Sequence, residues 1–257
     1  MLPKYGLIGF PLSHSFSKDY FTQKFTLLKV DAVYELFPLQ QISDFARLLA
    51  DEPPLKGLNV TIPFKKEIIP FLDELSDEAR EIGAVNTISF GRRNGQTILK
   101  GWNTDARALA LELREFTGET PGHALILGTG GAAAAAAYVL KQKGWSYKML
   151  SRNKHGHPNS EIMAYNQLNM QIIKSCRLII NASPVGMFPH TNELPDLPMA
   201  WINSNHYLFD MVYNPPETRF LQEGAQRGAQ TRNGLGMLIR QADMAWEIWQ
   251  KESFYEK

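Results

Sequence analysis

The sequence predicts an α/β protein of two domains, an N-terminal one on a mainly parallel sheet and a Rossmann-like one after it. Three observations carry this prediction. Short apolar runs alternate with segments of helical spacing through the first hundred residues; a glycine-rich turn, LILGTGGAAAAA, joins an apolar run to an alanine-rich segment; and GETPG at 118–122 separates two stretches of different texture. Strand and helix in alternation give a parallel sheet, and a glycine turn between a strand and a helix marks a nucleotide-binding unit.

The elements follow in order. KYGLIGF is a strand closed by Pro11 and serines, and SKDYFTQKFTLLKV places Tyr20, Phe21, Phe25 and Leu28 at helical spacing behind Ser17 as a cap. The pattern repeats as AVYELFPL then ISDFARLLA, and as LKGLNVTI then KKEIIPFLDEL. AVNTISF, RRNG and TILKGW form a hairpin turning at Asn94-Gly95. A helix from Thr104, TDARALALELREF, is the connector at which the first domain, residues 1–103, gives way to the second, 104–235. The second domain contains HALIL, SYKMLSRN, RLIINASPVGM and YLFDMVYN as strands with a helix from about Thr218. The tail from about 236 to 257 is amphipathic and returns to complete the first domain.

Composition narrows the partners. The 27 basic and 26 acidic residues nearly cancel, which leaves no large field to draw in nucleic acid or an anionic membrane, and a small molecule is the expected partner. The apolar patch in MLPKYGLIGFPLSHS is broken by Pro3 and Pro11 and is too short for a secretory or membrane segment. Cys176 is the single cysteine, so no disulfide can form within the chain, a zinc site is not expected and the cytoplasm is the expected compartment. His155 and His157 read as loop residues without a third metal ligand.

The glycine loop carries the first chemical reading. Gly128, Gly130 and Gly131, with Ala132 behind them, bring bare backbone amides and a helix N-terminus to face a pyrophosphate, and Ala133 takes the third small position of the dinucleotide fingerprint. An NAD site carries an acidic residue some 20 positions on. Here the strand ends in Ser151 and Arg152, whose donors suit a 2′-phosphate, so NADP is the expected cofactor, a solvated strand-end arginine being the plain alternative. A second oddity is NVTIPFKKE at 59–67, where an apolar strand runs through Pro63 into two lysines.

NVTIPFK, taken with GFPLSHSFS at 9–17, GAVNT, NTD, the glycine loop, INASPVGM, DMVYNPPET and GMLIRQA, resembles the shikimate dehydrogenase family in content and order from Gly9 to about Ala242. The resemblance implies NADP-dependent, reversible reduction of 3-dehydroshikimate to shikimate, a step of aromatic amino acid biosynthesis, in a cleft between the domains of a monomer or homodimer. It makes Lys65 and Asp105 the catalytic pair. Ser15 and Ser17 match the serines that hold the substrate carboxylate, Tyr213 lies at the same end, and Thr61, Asn86 and Gln241 bond the ring hydroxyls or the carboxylate. Gly128, Gly130, Gly131, Ala132, Ser151, Arg152, Asn153, Lys154, Met211 and Gly234 would contact the cofactor. Plain readings stand beside these: Ser17 as a helix cap, Asn86 shaping a turn, Gln241 on a helix face, Lys66 as a solvated lysine.

Two departures from the family pattern stand out. NTDARA replaces the usual NTDGxG and puts Ala106, Arg107 and Ala108 at the start of the connector, and Gly156 stands where the family's NADP loop has a second basic residue, with Lys154 as a substitute. The rival readings are a quinate or dual quinate/shikimate dehydrogenase using NAD or NADP and, of another class, a sensor that binds without turnover. A folate-linked dehydrogenase fits the paired serines and the NTD segment poorly.

Overall fold

The computed structural model describes residues 2–12, 15–51, 55–152 and 161–252. The chain divides into two compact units, one comprising residues up to Thr104 together with those from Ala242, the other Asp105–Gln241. Each is α/β, and strand pairing is mainly parallel.

The first unit contains β1 (Lys4–Gly9), α1 (Phe16–Leu28), β2 (Val33–Pro38), α2 (Phe45–Asp51), β3 (Leu55–Val60), β4 (Glu74–Leu75), α3 (Asp77–Ile82), β5 (Thr87–Arg93) and β6 (Gln96–Trp102). Its sheet runs β2-β1-β3-β5-β6-β4, parallel from β2 through β3 and antiparallel on both sides of β5. The β5–β6 turn has φ of 53° at Asn94 and 78° at Gly95, the two left-handed residues that a type I′ hairpin requires. Alternation along β1 sends Tyr5 and Leu7 into one core and Ile8 into another, where it meets Leu58, Val60, Phe64, Ile68 and Ile88.

Two local expectations are corrected. The cap of α1 is Ser15, whose hydroxyl accepts from the Ser17 amide at 3.3 Å, and Ser17 lies inside the first turn. KKEIIPFLDEL forms no α-helix: residues 62–68 are turns, Ile69–Phe71 is a 3-10 turn, and Glu74–Leu75 is a strand. Pro70 lacks the amide a helix would need there, while buried Phe64 and Ile68 anchor the turns to the core.

The second unit contains α4 (Thr104–Thr117), β7 (His123–Leu127), α5 (Gly131–Gln142), β8 (Ser146–Ser151), β9 (Ile162–Ala164), α6 (Met170–Ser175), β10 (Cys176–Asn181), β11 (Tyr207–Asp210), α7 (Arg219–Gln226) and β12 (Gln230–Arg232), with Thr104 itself grouped with the first unit. All pairs in its sheet, β12-β11-β10-β7-β8-β9, are parallel. The strand order reverses between β7 and β10, the switch point at whose carboxyl edge ligands of such sheets bind. The last helix, α8 (Leu235–Glu252), begins in the second unit and ends in the first. Its Ala242, Ala245, Trp246 and Trp249 join Tyr5, Phe21 and Phe25 in one core. Trp249 is fully buried, donates from Nε1 to the Ile88 carbonyl at 3.0 Å, and occupies the space that a side chain at Gly57 would need.

Candidate active site

The first candidate region lies where β1 and β3 end. A Cβ at Gly9 would come within 2.3 Å of the Thr61 methyl and 3.1 Å of Leu12, so glycine there is what lets both residues close over the end of β1. The Thr61 amide bonds Ile8 and the Phe10 amide bonds Ile62, extending the β1–β3 pairing beyond the strands. Ser15 follows closely, its amide bonded to Leu12. This brings Thr61 and the start of α1, with Ser15 and Ser17 both half-buried, to one edge of the sheet.

The oddity at 59–67 resolves here. Phe64 and Ile68 enter the core, and the Ile68 amide donates to the Phe64 carbonyl at 2.9 Å. Between these anchors Lys65 is half-buried and its carbonyl accepts from the Val85 amide at 2.7 Å, while Lys66 and Glu67 are exposed. The strand therefore fixes the first lysine against the segment that precedes β5.

Asn86, in that segment, is buried and bonded through both its backbone and its side chain. Its backbone bonds Trp102 and Val60, its Oδ1 accepts from the Thr104 amide at 2.7 Å, and its Nδ2 donates to the Thr104 hydroxyl at 2.9 Å. Asn59 donates to the Asn86 carbonyl and to Thr87, and accepts at 2.8 Å from the hydroxyl of buried Tyr34. Asn103 donates to the Ala84 carbonyl at 2.9 Å. The consequence is positional: Lys65 is tied to Val85, and Asn86 to Thr104, the residue immediately before Asp105. The carboxamide thus serves the fold as well as any ligand. Asp105 is buried, and in the departing NTDARA segment Ala106 and Ala108 are buried and Arg107 is exposed, the periodicity expected of the first turn of α4.

The remaining residues belong to the second unit. Gly128 follows β7 with φ of 119°, where a Cβ would also come within 3.3 Å of the Ala182 carbonyl beyond β10. Gly130 caps α5 without a side-chain hydrogen bond, and a Cβ there would meet nothing within 4 Å. Gly131 and Ala132 form the first turn of α5, whose amides point out of the helix end, while Ala133 is buried against the sheet. Open backbone at an uncapped helix N-terminus fits a pyrophosphate. Ser151 ends β8, its neighbour Arg152 is exposed, and the Gly128 amide bonds Leu150 of the same strand. Asn153, Lys154, His155, Gly156 and His157 lie outside the described residues. Met211 follows β11, and Gly234 lies so close that a Cβ would meet the Met211 carbonyl at 2.3 Å. Tyr213 is half-buried two residues on, and Gln241 is buried on α8 with Nε2 donating to Leu238 at 2.9 Å.

Among known proteins, the family described as the shikimate dehydrogenase substrate binding domain matches residues 7–88. A shikimate dehydrogenase (NADP(+)) of Syntrophomonas wolfei is 39% identical over 263 residues, covering 95% of this chain and 88% of that one. That of Carboxydothermus hydrogenoformans is 36% identical over 259 residues, covering 95% of this chain and 90% of its relative. The chain belongs to the shikimate dehydrogenase family. The crystal structure of shikimate 5-dehydrogenase from Thermus thermophilus in complex with NADP(H) and shikimate matches with a TM-score of 0.81 at 30% identity, covering 98% of this chain and 94% of that one.

Buried polar residues that the sequence did not single out complete both regions. Tyr34, Asn59 and Thr104 support Asn86 in the first unit; Asn181, Asp210 and Thr218 form a cluster in the second. The signal available was a polar residue closing an apolar run, as in LIIN and YLFD. No described helix is long and apolar enough to cross a membrane.

Proposed function

We propose that this chain interconverts shikimate and 3-dehydroshikimate with NADP as the hydride carrier. The observation that carries the reading is the local frame of Lys65: a half-buried lysine fixed through its carbonyl to Val85, next to Asn86, whose side chain holds the residue before Asp105. The family to which the chain belongs, and relatives named for NADP, supply the substrate and cofactor.

In the oxidative direction Lys65 accepts the proton of the reacting hydroxyl as hydride leaves its carbon, and in reduction it returns that proton. The nicotinamide supplies the hydride acceptor or donor. Asp105 orients the lysine amine and balances its charge. Ser15, Ser17 and Tyr213 donate to the substrate carboxylate, and Thr61, Asn86 and Gln241 bond the ring hydroxyls, for which amides suffice because they both donate and accept. Gly128, Gly130, Gly131 and Ala132 receive the pyrophosphate at the start of α5. Ser151 and Arg152, with Asn153 and Lys154, hold the 2′-phosphate, and Met211 and Gly234 flank the nicotinamide end. A cytoplasmic monomer or homodimer acting on a small molecule completes the reading, and buried Cys176 with its thiol pushed up to about 11 fits a protein that needs no disulfide.

The test is an assay at 340 nm of the purified protein with shikimate or quinate crossed against NADP or NAD, comparing kcat/KM for the four pairs. Turnover confined to shikimate with NADP is the expected result. Preference for quinate or NAD would move the chain to the dual type, and ligand binding without turnover in any pair would make it a sensor.

A further inference from the structure

The second unit contains a buried carboxylate that none of the chemistry above uses. Asp210 closes β11 and is fully buried. Its Oδ1 accepts from Asn181 Nδ2 at 2.9 Å and from the Val212 amide at 2.9 Å, and its Oδ2 accepts from the Thr218 hydroxyl at 2.5 Å. Each partner controls a different piece of the carboxyl edge of the sheet. Asn181 ends β10, accepts from the Ser183 hydroxyl at 2.7 Å and amide at 3.1 Å, and donates to the Val185 carbonyl at 3.2 Å; its own carbonyl accepts the Met211 amide at 2.9 Å. Val212 accepts from the Gly234 amide at 3.2 Å, and Thr218 caps α7. One carboxylate thus sets segments 182–185, 211–213 and 218 at once, and Gly234 through Val212.

The environment makes this arrangement costly. The groups facing Asp210 are neutral: Asn181 from β10, the Val212 amide beyond β11 and Thr218 at the start of α7. His206, just before β11, has its ring against Asn203 and Ile173, and Arg232 of β12 is paired with Glu112 and Glu115. With no cation opposite among the described residues, burial pushes the Asp210 carboxyl up to about 6 against three hydrogen bonds that pull it down. A carboxylate so placed weakens the folded state at neutral pH. Its value therefore lies in what it orders.

We propose that Asp210 is a positioning residue for the dinucleotide, holding the 182–188 and 211–218 segments in the arrangement that places Met211 and Gly234 at the reacting end of the cofactor. The proposal rests on the functional reading above. Asn is nearly the same size as Asp, keeps one oxygen for Asn181 and Val212, and cannot accept from Thr218 on the other side. For Asp210→Asn, the melting temperature at pH 7.5, the steady-state constants and amide hydrogen exchange are measured against the wild type. The expected result is an unchanged or raised Tm, a fall of about 10- to 100-fold in kcat/KM for NADP with KM for shikimate unchanged, and faster exchange within 182–188 and 211–218. A lowered Tm with unaltered kinetics and exchange, or no change in any readout, would overturn it. If the wild type turned over no shikimate, the functional reading would fall, and exchange would still decide the positioning role: faster exchange at intact Tm supports it and unchanged exchange overturns it. Should the variant not fold, protection factors of the wild type take its place. They are expected to rise in these two segments as pH falls through about 6, because opening that exposes Asp210 costs more once its carboxyl is protonated in the fold, and a flat profile would overturn the proposal.

Discussion

The two sheets each end in a buried polar cluster, and the clusters are made of different chemistry. In the first unit Tyr34, Asn59, Asn86, Thr87 and Thr104 join hydroxyls to amides with no carboxylate or cation among them. In the second, Asn181, the Val212 amide and Thr218 converge on the carboxylate of Asp210, and Ser183 bonds Asn181 behind it. A neutral network holds equally well across the physiological pH range, whereas a buried carboxylate ties the stability of its unit to pH. The difference matches the proposed ligands. A polyol acid asks for a fixed set of donors and acceptors, while a dinucleotide bound largely by backbone amides asks for loops held in place.

The largest expected effect tests the chemistry placed beside the neutral cluster. Lys65→Ala is expected to lower kcat by about 1000-fold with KM for shikimate little changed, as measured by steady-state kinetics. Comparable losses in binding would place Lys65 among the anchors instead.

Next comes pH. The Asp210 carboxyl is raised from 3.8 to about 6 in the fold. Its stabilising contribution is therefore fully present below about pH 4 and lost as pH rises through about 6, a swing on the order of 3 kcal/mol. Urea unfolding between pH 4 and 8 is expected to show this slope in the wild type and in Asn86→Ala, and to show it flattened in Asp210→Asn. Asn86→Ala itself should cost about 2 kcal/mol because the Thr104 amide and hydroxyl lose their buried partner, and the loss should be the same at pH 5 and pH 8. The smallest effect is Tyr34→Phe. Its ring stacks on Phe21 at 4.5 Å, so the variant keeps that contact, loses the bond to Asn59, and should cost about 1 kcal/mol in the same measurement.

Much of this was legible in the sequence where the signal is local. The apolar runs of β1, β3, β7 and β10, the Asn94-Gly95 turn and the glycine turn at 128–131 announce themselves within a few residues. KKEIIPFLDEL misled because Ile68, Ile69 and Leu72 mimic helical spacing, while the anchoring of Phe64 and Ile68 in a core gathered from distant strands is invisible locally. Ser15 and Ser17 could each have capped α1, and only the path of the chain from Leu12 chooses between them. Asp210 stayed unread because two of its partners, Asn181 and Thr218, lie 29 and 8 positions away. Polar clusters of this kind are assembled by topology, and a strand ending in Asn or Asp is their only trace in the sequence.

The division of labour between the units is the central claim, and calorimetric titration of shikimate and of NADPH, each alone, into wild type, Thr61→Val and Arg152→Ala tests it most directly. Thr61→Val is expected to weaken shikimate about 10-fold and leave NADPH unchanged, and Arg152→Ala to weaken NADPH about 10- to 100-fold and leave shikimate unchanged. Loss of shikimate affinity in Arg152→Ala, or of NADPH affinity in Thr61→Val, would contradict the account.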